Sequence, residues 1–302
     1  MRYLAVFAML CVALPPSAYG QNASANPLTG MGYLYPPVTV APGQLISVFV
    51  AGNVLGDITA TVQGLSAPVL EVRPGSGCPS ASLCSGLTAI TIQIPYELNL
   101  GCGFPPVCNV VLLTQLIVAA NGVAGAPVDL MPLPDQVHLL TGCDTVVPSG
   151  SGIAPFGGSP CAPLVTHANG SLVTAGSPAQ GGEEVVAYAV GLGLTTPAIP
   201  TGQEASTATP TSETFYLDFN FRPNALATKP MQPTLSFGPA FPIPLYAGLV
   251  PGYAGLYQIN FVVPPPPVGV QACAAGVQSN LTVSVGGPAS FDGAGICVVP
   301  SE

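Results

Sequence analysis

Apolar residues recur at every second position in several short segments, and most of these segments end at Gly, Pro or Asn. Alternation with this period predicts β-strands. No window shows a convincing amphipathic helix, and Asn169-Gly170 between two short apolar runs is typical of a hairpin turn. The pattern predicts an all-β chain folded as β-sandwiches. The predicted strands lie in VTVAPGQLISVFVAG (38–52), AITIQIP (89–95), QLIVAANG (115–122), EEVVAYAVGLG (183–193), ETFYLDFNF (213–221), LYQINFVVP (256–264) and NLTVSVGG (280–287).

The order of segments repeats between the two halves of the chain. In the first half it is APGQLISVFVAG, ATVQGLSAPVL, PG, GLTAITIQIP and QLIVAANG; in the second it is AQGGEEVVAYAVG, TLSFGPAFPIPLY, PG, GLYQINFVVP and NLTVSVGG. Gly-Leu begins and Pro ends the fourth segment in both copies. An internal duplication therefore predicts two tandem domains at 27–131 and 164–300, with an irregular linker at 132–163.

Composition narrows the range of partners. Only 6% of the residues are charged, the chain has four basic residues, and its formal net charge is −9. Nucleic-acid binding depends on Lys and Arg neutralising phosphates, and attraction to anionic lipid needs the same residues. We therefore expect neither partner.

The segment MRYLAVFAMLCVALPPSAYGQ at the N-terminus has one Arg, an apolar run and small residues before Gln21. This arrangement predicts a secretory signal peptide at 1–20. A membrane anchor is the alternative, but the run is shorter than the roughly 20 apolar residues that cross a bilayer. We expect a secreted, extracellular, cell-surface or periplasmic protein with no transmembrane helix after cleavage.

Eight cysteines follow the predicted signal peptide, and an even number in an exported chain favours disulfides. Their spacing suggests four local pairs, although eight cysteines allow 105 connectivities. A zinc site is disfavoured because no tight C-x2-4-C knuckle is present. The predicted pairs are Cys78 with Cys84, Cys102 with Cys108, Cys143 with Cys161, and Cys273 with Cys297.

Several motifs resemble an uncharacterised family of exported acidobacterial proteins, the Solibacter-type C-terminal domain. They are APGQLISVFVAG, GLSAPVL, IQIPYEL, HANGSLVTAGSPAQGGEEVVAYAVGLG and YAGLVPGYAGLYQINFVVP, spread over about residues 27 to 290. The resemblance implies two tandem immunoglobulin-like β-sandwiches on a secreted or surface protein, and the disulfides predicted from the cysteine spacing would clip these domains. It carries no catalytic residues with it, and the cysteine-bearing insertions depart from the family's pattern.

His138 and His167 are the two histidines of the chain. A serine hydrolase needs a His oriented by a carboxylate and next to a nucleophile, and Asp135 is near His138 in sequence. No G-x-S-x-G motif accompanies either histidine. Glu183 and Glu184 are adjacent, so on a strand they point to opposite faces and do not form an acid-base pair. We predict no catalytic residue and no enzyme activity.

Three carboxylates near the domain boundary, Asp129, Asp135 and Asp144, suggest a calcium site as a hypothesis, since Ca²⁺ takes several oxygen ligands. No EF-hand spacing is present. The prediction is no metal and no cofactor.

Tyr246 and Tyr253 flank the Pro251-Gly252 turn and are the candidate binding residues, whereas the other tyrosine of this stretch, Tyr257, belongs to a predicted core face with Ile259. The first functional hypothesis is a non-catalytic, exported structural or interaction protein of the cell surface or extracellular space. The alternatives are a carbohydrate-binding or adhesion module and, third, a hydrolase that uses His138 or His167. The partner would be an unidentified protein or glycan at the cell surface.

Overall fold

The structure, a computed structural model, describes residues 37–51, 54, 56–74, 87–101, 113–142, 144, 161–231 and 242–301. Within these ranges every element of regular secondary structure is a β-strand, so the all-β prediction is confirmed. The strands are β1 (Val38–Val40), β2 (Leu45–Ala51), β3 (Ile58–Val62), β4 (Leu65–Ser66), β5 (Val69–Pro74), β6 (Leu87–Gln93), β7 (Thr114–Ala120), β8 (Val123–Ala124), β9 (Val128–Pro132), β10 (His138–Leu139), β11 (Val165–His167), β12 (Glu184–Val190), β13 (Thr209–Pro210), β14 (Tyr216–Asn220), β15 (Tyr246–Leu249), β16 (Tyr257–Val262), β17 (Leu281–Gly286) and β18 (Phe291–Ile296).

The first sandwich pairs two sheets whose strand order is that of an immunoglobulin domain. One sheet has the order β2-β6-β5, and the other has the order β1-β9-β7-β3-β4 with β8 on β7. In immunoglobulin lettering these are B-E-D and A′-G-F-C-C′, close to the variable type, in which C′ extends the C-F-G sheet. The pair β1 with β9 is parallel, and the other pairs are antiparallel.

The core of the first sandwich follows from the alternation. On β7, Leu116 and Val118 are buried while Gln115 and Ile117 face outward. Ile46, Val48, Ile90 and Ile92 on β2 and β6 pack against them from the facing sheet. Alternate side chains of a strand point to opposite faces, so each sheet contributes one apolar face.

The second sandwich has the order β10-β12-β16-β15-β13, with β11 on β12, opposite the order β14-β17-β18. In the same lettering this is A-B-E-D facing C-F-G, the constant-type arrangement, with β13 added at the D edge. Tyr257, Ile259, Phe261 and Val263 are all buried on one face, which confirms the core face predicted from the alternation. The immunoglobulin-like class thus holds for both sandwiches.

The repeated segments occupy equivalent strands. The strands β2, β5, β6 and β7 of the first sandwich correspond in order and position to β12, β15, β16 and β17 of the second. The turn at 251–252 joins strand D to strand E in the second copy. Equivalent positions are what a duplication would produce, although the duplication itself stays a prediction.

The predicted linker at 132–163 contains structure in its described part. His138–Leu139 forms β10, which pairs with β12 and belongs to the second sandwich. Sequence alternation could not reveal a strand of two residues. Residues 145–160 of this linker, like the predicted signal peptide at 1–20, lie outside the described residues.

Cys273 and Cys297 form a disulfide, as their spacing predicts. Cys161 is also disulfide-bonded, and its predicted partner Cys143 lies outside the described residues. The pairs of Cys78 with Cys84 and of Cys102 with Cys108 lie outside them as well, so these pairings remain predictions.

Candidate functional site

The junction at which the two sandwiches meet carries a network of polar contacts between residues distant in sequence. A small apolar cluster forms its floor, with Leu45 from the first sandwich and Leu140, Leu164 and Val190 from the second. All four side chains are buried. The junction is therefore a packed interface rather than a flexible tether.

A chain of hydroxyl groups crosses this junction. Tyr257, on β16, is fully buried, and its hydroxyl donates to the carbonyl oxygen of Gly193 at 2.5 Å. Because that bond uses its proton, the Tyr257 oxygen accepts from the hydroxyl of Tyr96, 3.2 Å away in the first sandwich. Burial raises the pKa of Tyr257 well above its usual value and raises that of Tyr96 too. Both phenols therefore stay protonated and donate.

A loop after β12 reaches from the second sandwich onto the first. The hydroxyl of Thr201 accepts from the backbone N–H of Tyr96 at 2.8 Å and donates to the carboxylate of Glu97 at 2.5 Å. The next residue, Gly202, donates its N–H to Oε1 of Gln93 at 2.7 Å. The Thr201 bond lowers the pKa of Glu97, so the carboxylate remains an acceptor.

Two glycines allow the backbones to come this close. Gly43 has a φ of +73°, and a Cβ on it would fall inside the ring of Tyr96. Gly255 has a φ of +68°, and a Cβ there would lie 2.7 Å from the carbonyl oxygen of Gly43 and 2.7 Å from the Leu45 side chain. Only glycine combines a left-handed φ with the absence of a side chain at such contacts. Gly255 is the second-copy member of the Gly-Leu pair that the repeat shares.

The predicted binding residues, Tyr246 and Tyr253, belong to the second sandwich, and no described contact joins the two side chains. Tyr246, on β15, is partly buried, and its hydroxyl donates to the carbonyl oxygen of Leu249 at 3.0 Å. Its ring also lies against Gly248. Tyr253 is 49% exposed just after the Pro251-Gly252 turn. Of the two, Tyr253 has the face available for a partner.

His138 is buried between two carboxylates. Its Nδ1 lies 3.0 Å from Asp292 on β18, and its Nε2 lies 3.1 Å from Asp144. Burial alone would lower the pKa of His138, but the two carboxylates outweigh it and raise the pKa to about 9. Asp292 also accepts from the N–H of Leu139, and Asp144 from Thr141. The imidazolium therefore ties strand A to strand G of the second sandwich.

His167 stands in an arrangement of the kind a serine hydrolase uses. Its Nδ1 is 2.5 Å from Oε1 of Glu183, and its Nε2 is 3.2 Å from the hydroxyl of Ser177. The three residues line an open cleft of about 500 Å³ beside Gly181 and Gly182. The sequence offered His167 and Glu183 as separate candidates for catalysis. Their arrangement beside Ser177 is visible only in the structure.

The protonation of His167 conflicts with that chemistry. Its Nε2 also lies 3.1 Å from the backbone carbonyl oxygen of Ser177, which can only accept a proton. Glu183 raises the pKa of His167, which favours a proton on both ring nitrogens. A general base instead needs a free lone pair on the nitrogen that faces the serine. The trio therefore acts as a clip between β11, the turn at Ser177 and the start of β12.

The backbone around the clip offers little support for an oxyanion. The N–H of Ser177 donates to Thr174, that of Gln180 to Glu183, and that of Gly182 to Val263. Acyl transfer requires donors directed at the developing oxyanion. These three amides are bonded elsewhere, which favours the structural interpretation of the clip.

The three carboxylates of the calcium hypothesis do not converge. Asp129 on β9 accepts from Gln115, and Asp144 is paired with His138. Asp135 is fully buried and accepts from Ala289 and Ser290, while burial raises its pKa. In the described ranges, no group of three or more His, Cys, Asp or Glu side chains is placed to hold a metal ion. Each of these carboxylates therefore has a protein partner in place of a cation.

The sequence predicts the strands that carry some junction residues, but it does not predict the contacts between them. Gly255 and Tyr257 belong to the repeat, but the alternation assigns Tyr257 simply to the core. Gln93 lies in a predicted strand and Tyr96 in the IQIPYEL motif, but neither pattern indicates a contact with the second sandwich, and Thr201 lies outside the predicted strands. Polar contacts between residues more than a hundred positions apart cannot be read from local periodicity.

The sequence matches no family model and no curated protein. The solved structures that the chain matches include the adhesin InvE of Yersinia pseudotuberculosis, at 12% identity and a TM-score of 0.20 over 87% of this chain and 57% of that chain. A tandem of titin Ig domains has 9% identity and a TM-score of 0.17 over 87% and 92% of the two chains. The C-terminal domain of the AgI/II polypeptide BspA of Streptococcus agalactiae has 8% identity and a TM-score of 0.19 over 86% and 94%.

This chain spans just over half the length of InvE. At such TM-scores these likenesses carry no argument about function, and the fold rests on the strand order. Among the described residues, no helix has the length and apolar character needed to cross a membrane.

Proposed function

We propose that this chain is a non-catalytic, exported structural or interaction protein that holds two immunoglobulin-like sandwiches in one fixed arrangement at the cell surface or in the extracellular space. The observation that carries the proposal is the buried, hydrogen-bonded junction. Domain pairs within one chain move relative to each other by default unless their interface is large and apolar. Here buried polar bonds and glycine contacts, which tolerate little displacement, are added to the apolar floor.

Geometry explains why such a junction restricts movement. A hydroxyl chain such as Tyr96 to Tyr257 to Gly193 has its donors and acceptors matched in one relative position only. Sliding the sandwiches by an ångström or two would leave buried polar groups without partners, at a cost of about 1–3 kcal/mol each. A spacer that presents a surface at a set angle needs this property.

Other features support the location. The Cys273–Cys297 disulfide fits an oxidising compartment, where such bonds persist. The predicted signal peptide and the resemblance to the Solibacter-type family support export as well. Fractionation of the native host, with sequencing of the mature N-terminus, tests this part: recovery of the uncleaved chain in the cytoplasm would contradict it.

Small-angle X-ray scattering tests the fixed arrangement. We expect the profile of the mature chain to fit a single orientation of the two sandwiches. The double variant Tyr257→Phe with Thr201→Gly, which removes the hydroxyl bonds across the junction, should require a broader set of orientations. A wild-type profile that already requires many orientations would contradict the proposal.

Carbohydrate binding is a second candidate, and the observation that favours it is the exposed ring of Tyr253 at a turn. Sugar rings stack on exposed aromatic faces, although a single tyrosine gives a small platform. A glycan array probed with the wild-type protein and with Tyr253→Ala tests it. Binding that is lost in the variant supports this role, and a blank array for the wild type removes it.

A further inference from the structure

The hairpin that follows β11 carries an unusual pair of contacts at its tip. Asn169 and Gly170 form the turn, and both are exposed. The side-chain oxygen of Asn169 accepts from the N–H of Ser171 at 2.9 Å and from its hydroxyl at 2.7 Å. Two donors on one exposed carboxamide oxygen polarise its carbonyl group.

The neighbouring glycine is suited to attack that carbonyl group. Gly170 has a φ of +83°, and the space where a Cβ would be is empty, so no side chain shields its nitrogen. The restraint on the nitrogen is its hydrogen bond to the carbonyl oxygen of His167, at 2.9 Å. That bond lies within an exposed turn, where water can replace it.

We propose that Asn169 is a site of spontaneous deamidation, with water as the co-reactant. The nitrogen of Gly170 loses its proton and forms a bond to Cγ of Asn169. The bond from Cγ to Nδ2 then breaks, and ammonia leaves with the proton. Water opens the resulting succinimide at either carbonyl and yields aspartate or isoaspartate. The Ser171 donors stabilise the oxyanion that develops on Oδ1, as preorganised donors do in acyl transfer.

Asn121 provides a reference within the same chain, because it also precedes a glycine. It adopts a φ of +50°, and its side-chain oxygen accepts from the N–H of Asp57, 64 positions away, at 3.1 Å. That contact anchors the side chain to a different strand connection. The side-chain oxygen of Asn169 instead accepts from Ser171, two positions along the chain, through both the backbone N–H and the hydroxyl.

The reaction would change the hairpin. An aspartate adds a negative charge two residues from His167, whose ring is bonded to Glu183. An isoaspartate also lengthens the backbone by one atom inside the turn. This extra atom disrupts the bond from the N–H of His167 to the carbonyl oxygen of Ser171. Deamidation would therefore loosen the clip of the second sandwich.

Incubation of the full chain in mildly alkaline buffer, followed by peptide mapping, tests the proposal. We expect the mass gain that accompanies replacement of NH₂ by OH to appear first in the peptide containing Asn169, and later in that containing Asn121. Asn169→Gln should abolish the early gain. Ser171→Ala should slow it by roughly threefold to tenfold, less than a buried oxyanion donor provides, because Oγ is exposed and the backbone N–H remains.

Two outcomes would overturn the proposal. One is conversion of Asn121 as fast as, or faster than, conversion of Asn169. The other is an unchanged rate in Ser171→Ala while its circular dichroism and melting temperature match those of the wild type. Neither outcome bears on the junction or on the proposed structural role.

Discussion

The hydroxyls of Tyr96 and Tyr257 lie 3.2 Å apart in the interior, although 161 positions separate the two residues along the chain. They belong to different sandwiches, and the Tyr257 hydroxyl donates a hydrogen bond to the carbonyl oxygen of Gly193. The two halves of the chain thus share one hydrogen-bond network.

Tyr257→Phe should destabilise the protein. The change keeps the ring in the core but leaves the Tyr96 hydroxyl and the Gly193 carbonyl without this partner, which costs about 1–3 kcal/mol for each group. Urea unfolding measures the loss. Tyr253→Phe is the matched control, since Tyr253 is exposed, and it should lie within about 0.5 kcal/mol of the wild type. An equal loss of unfolding free energy in the two variants would show that the buried hydroxyl chain contributes nothing to stability.

Gly43→Ala and Gly64→Ala separate backbone strain from close packing. Both glycines have a left-handed φ, +73° and +76°, but a Cβ on Gly64 meets nothing within 4 Å, whereas one on Gly43 meets the Tyr96 ring. We expect Gly64→Ala to cost about 1–2 kcal/mol through its φ alone.

Gly43→Ala should cost that amount and roughly 1–3 kcal/mol more for overpacking. The difference in the free energy of unfolding between the two variants measures how tightly the Tyr96 ring packs against Gly43 within the first sandwich. A Gly43→Ala variant no less stable than Gly64→Ala would mean that Tyr96 moves aside freely.

Stability should fall on the alkaline side because of His138. Its pKa rises from 6.5 to about 9 on folding. The stabilisation is therefore complete below pH 6.5 and is lost as the pH rises through about 9, with a size on the order of 3 kcal/mol.

Urea unfolding at a series of pH values checks this, with His138→Gln as the test variant and His167→Gln as the control. We expect the variant at position 138 to lose the alkaline decrease and the control to keep most of it. An identical decrease in His138→Gln and the wild type would contradict the paired, buried imidazolium.

Ser177 should be inert towards a fluorophosphonate probe near neutral pH. The proton on His167 Nε2, shared with the Ser177 carbonyl oxygen, prevents the ring from activating the hydroxyl. Mass spectrometry of the treated protein, with Ser177→Ala as reference, provides the measurement. A covalent adduct on Ser177 that requires His167 would revive the hydrolase hypothesis.

Non-reducing peptide mapping should join Cys273 to Cys297 and Cys143 to Cys161. The sequence predicts the remaining links as Cys78 to Cys84 and Cys102 to Cys108. Small rings of this kind restrain an insertion by removing conformations from the unfolded chain. Crossed links between the two short pairs would refute the local arrangement.

The sequence predicted the strands well where alternation extends over five or more residues, as in β7, β12 and β16. It also placed Tyr257, Ile259 and Phe261 on one buried face, because a period of two assigns a face without any knowledge of the partner sheet. Short strands such as β10 escaped it, since two residues carry no periodicity.

The sites were less predictable than the fold. His167 and Glu183 were each considered, but their contact with Ser177 depends on a turn whose geometry the sequence does not specify. His138 was weighed with Asp135, its neighbour in sequence, whereas its partner Asp292 lies 154 positions away on β18. Tertiary contacts of this kind depend on how the strands assemble, and one sequence alone does not reveal that assembly.

The composition of the junction determines how the arrangement of the two sandwiches responds to salt. Apart from the Glu97 carboxylate, the bonds described across it join hydroxyl, amide and carbonyl groups. Salt screens interactions between exposed charges, and it scarcely affects buried neutral hydrogen bonds. The angle between the two sandwiches should therefore stay the same in dilute water and in brine.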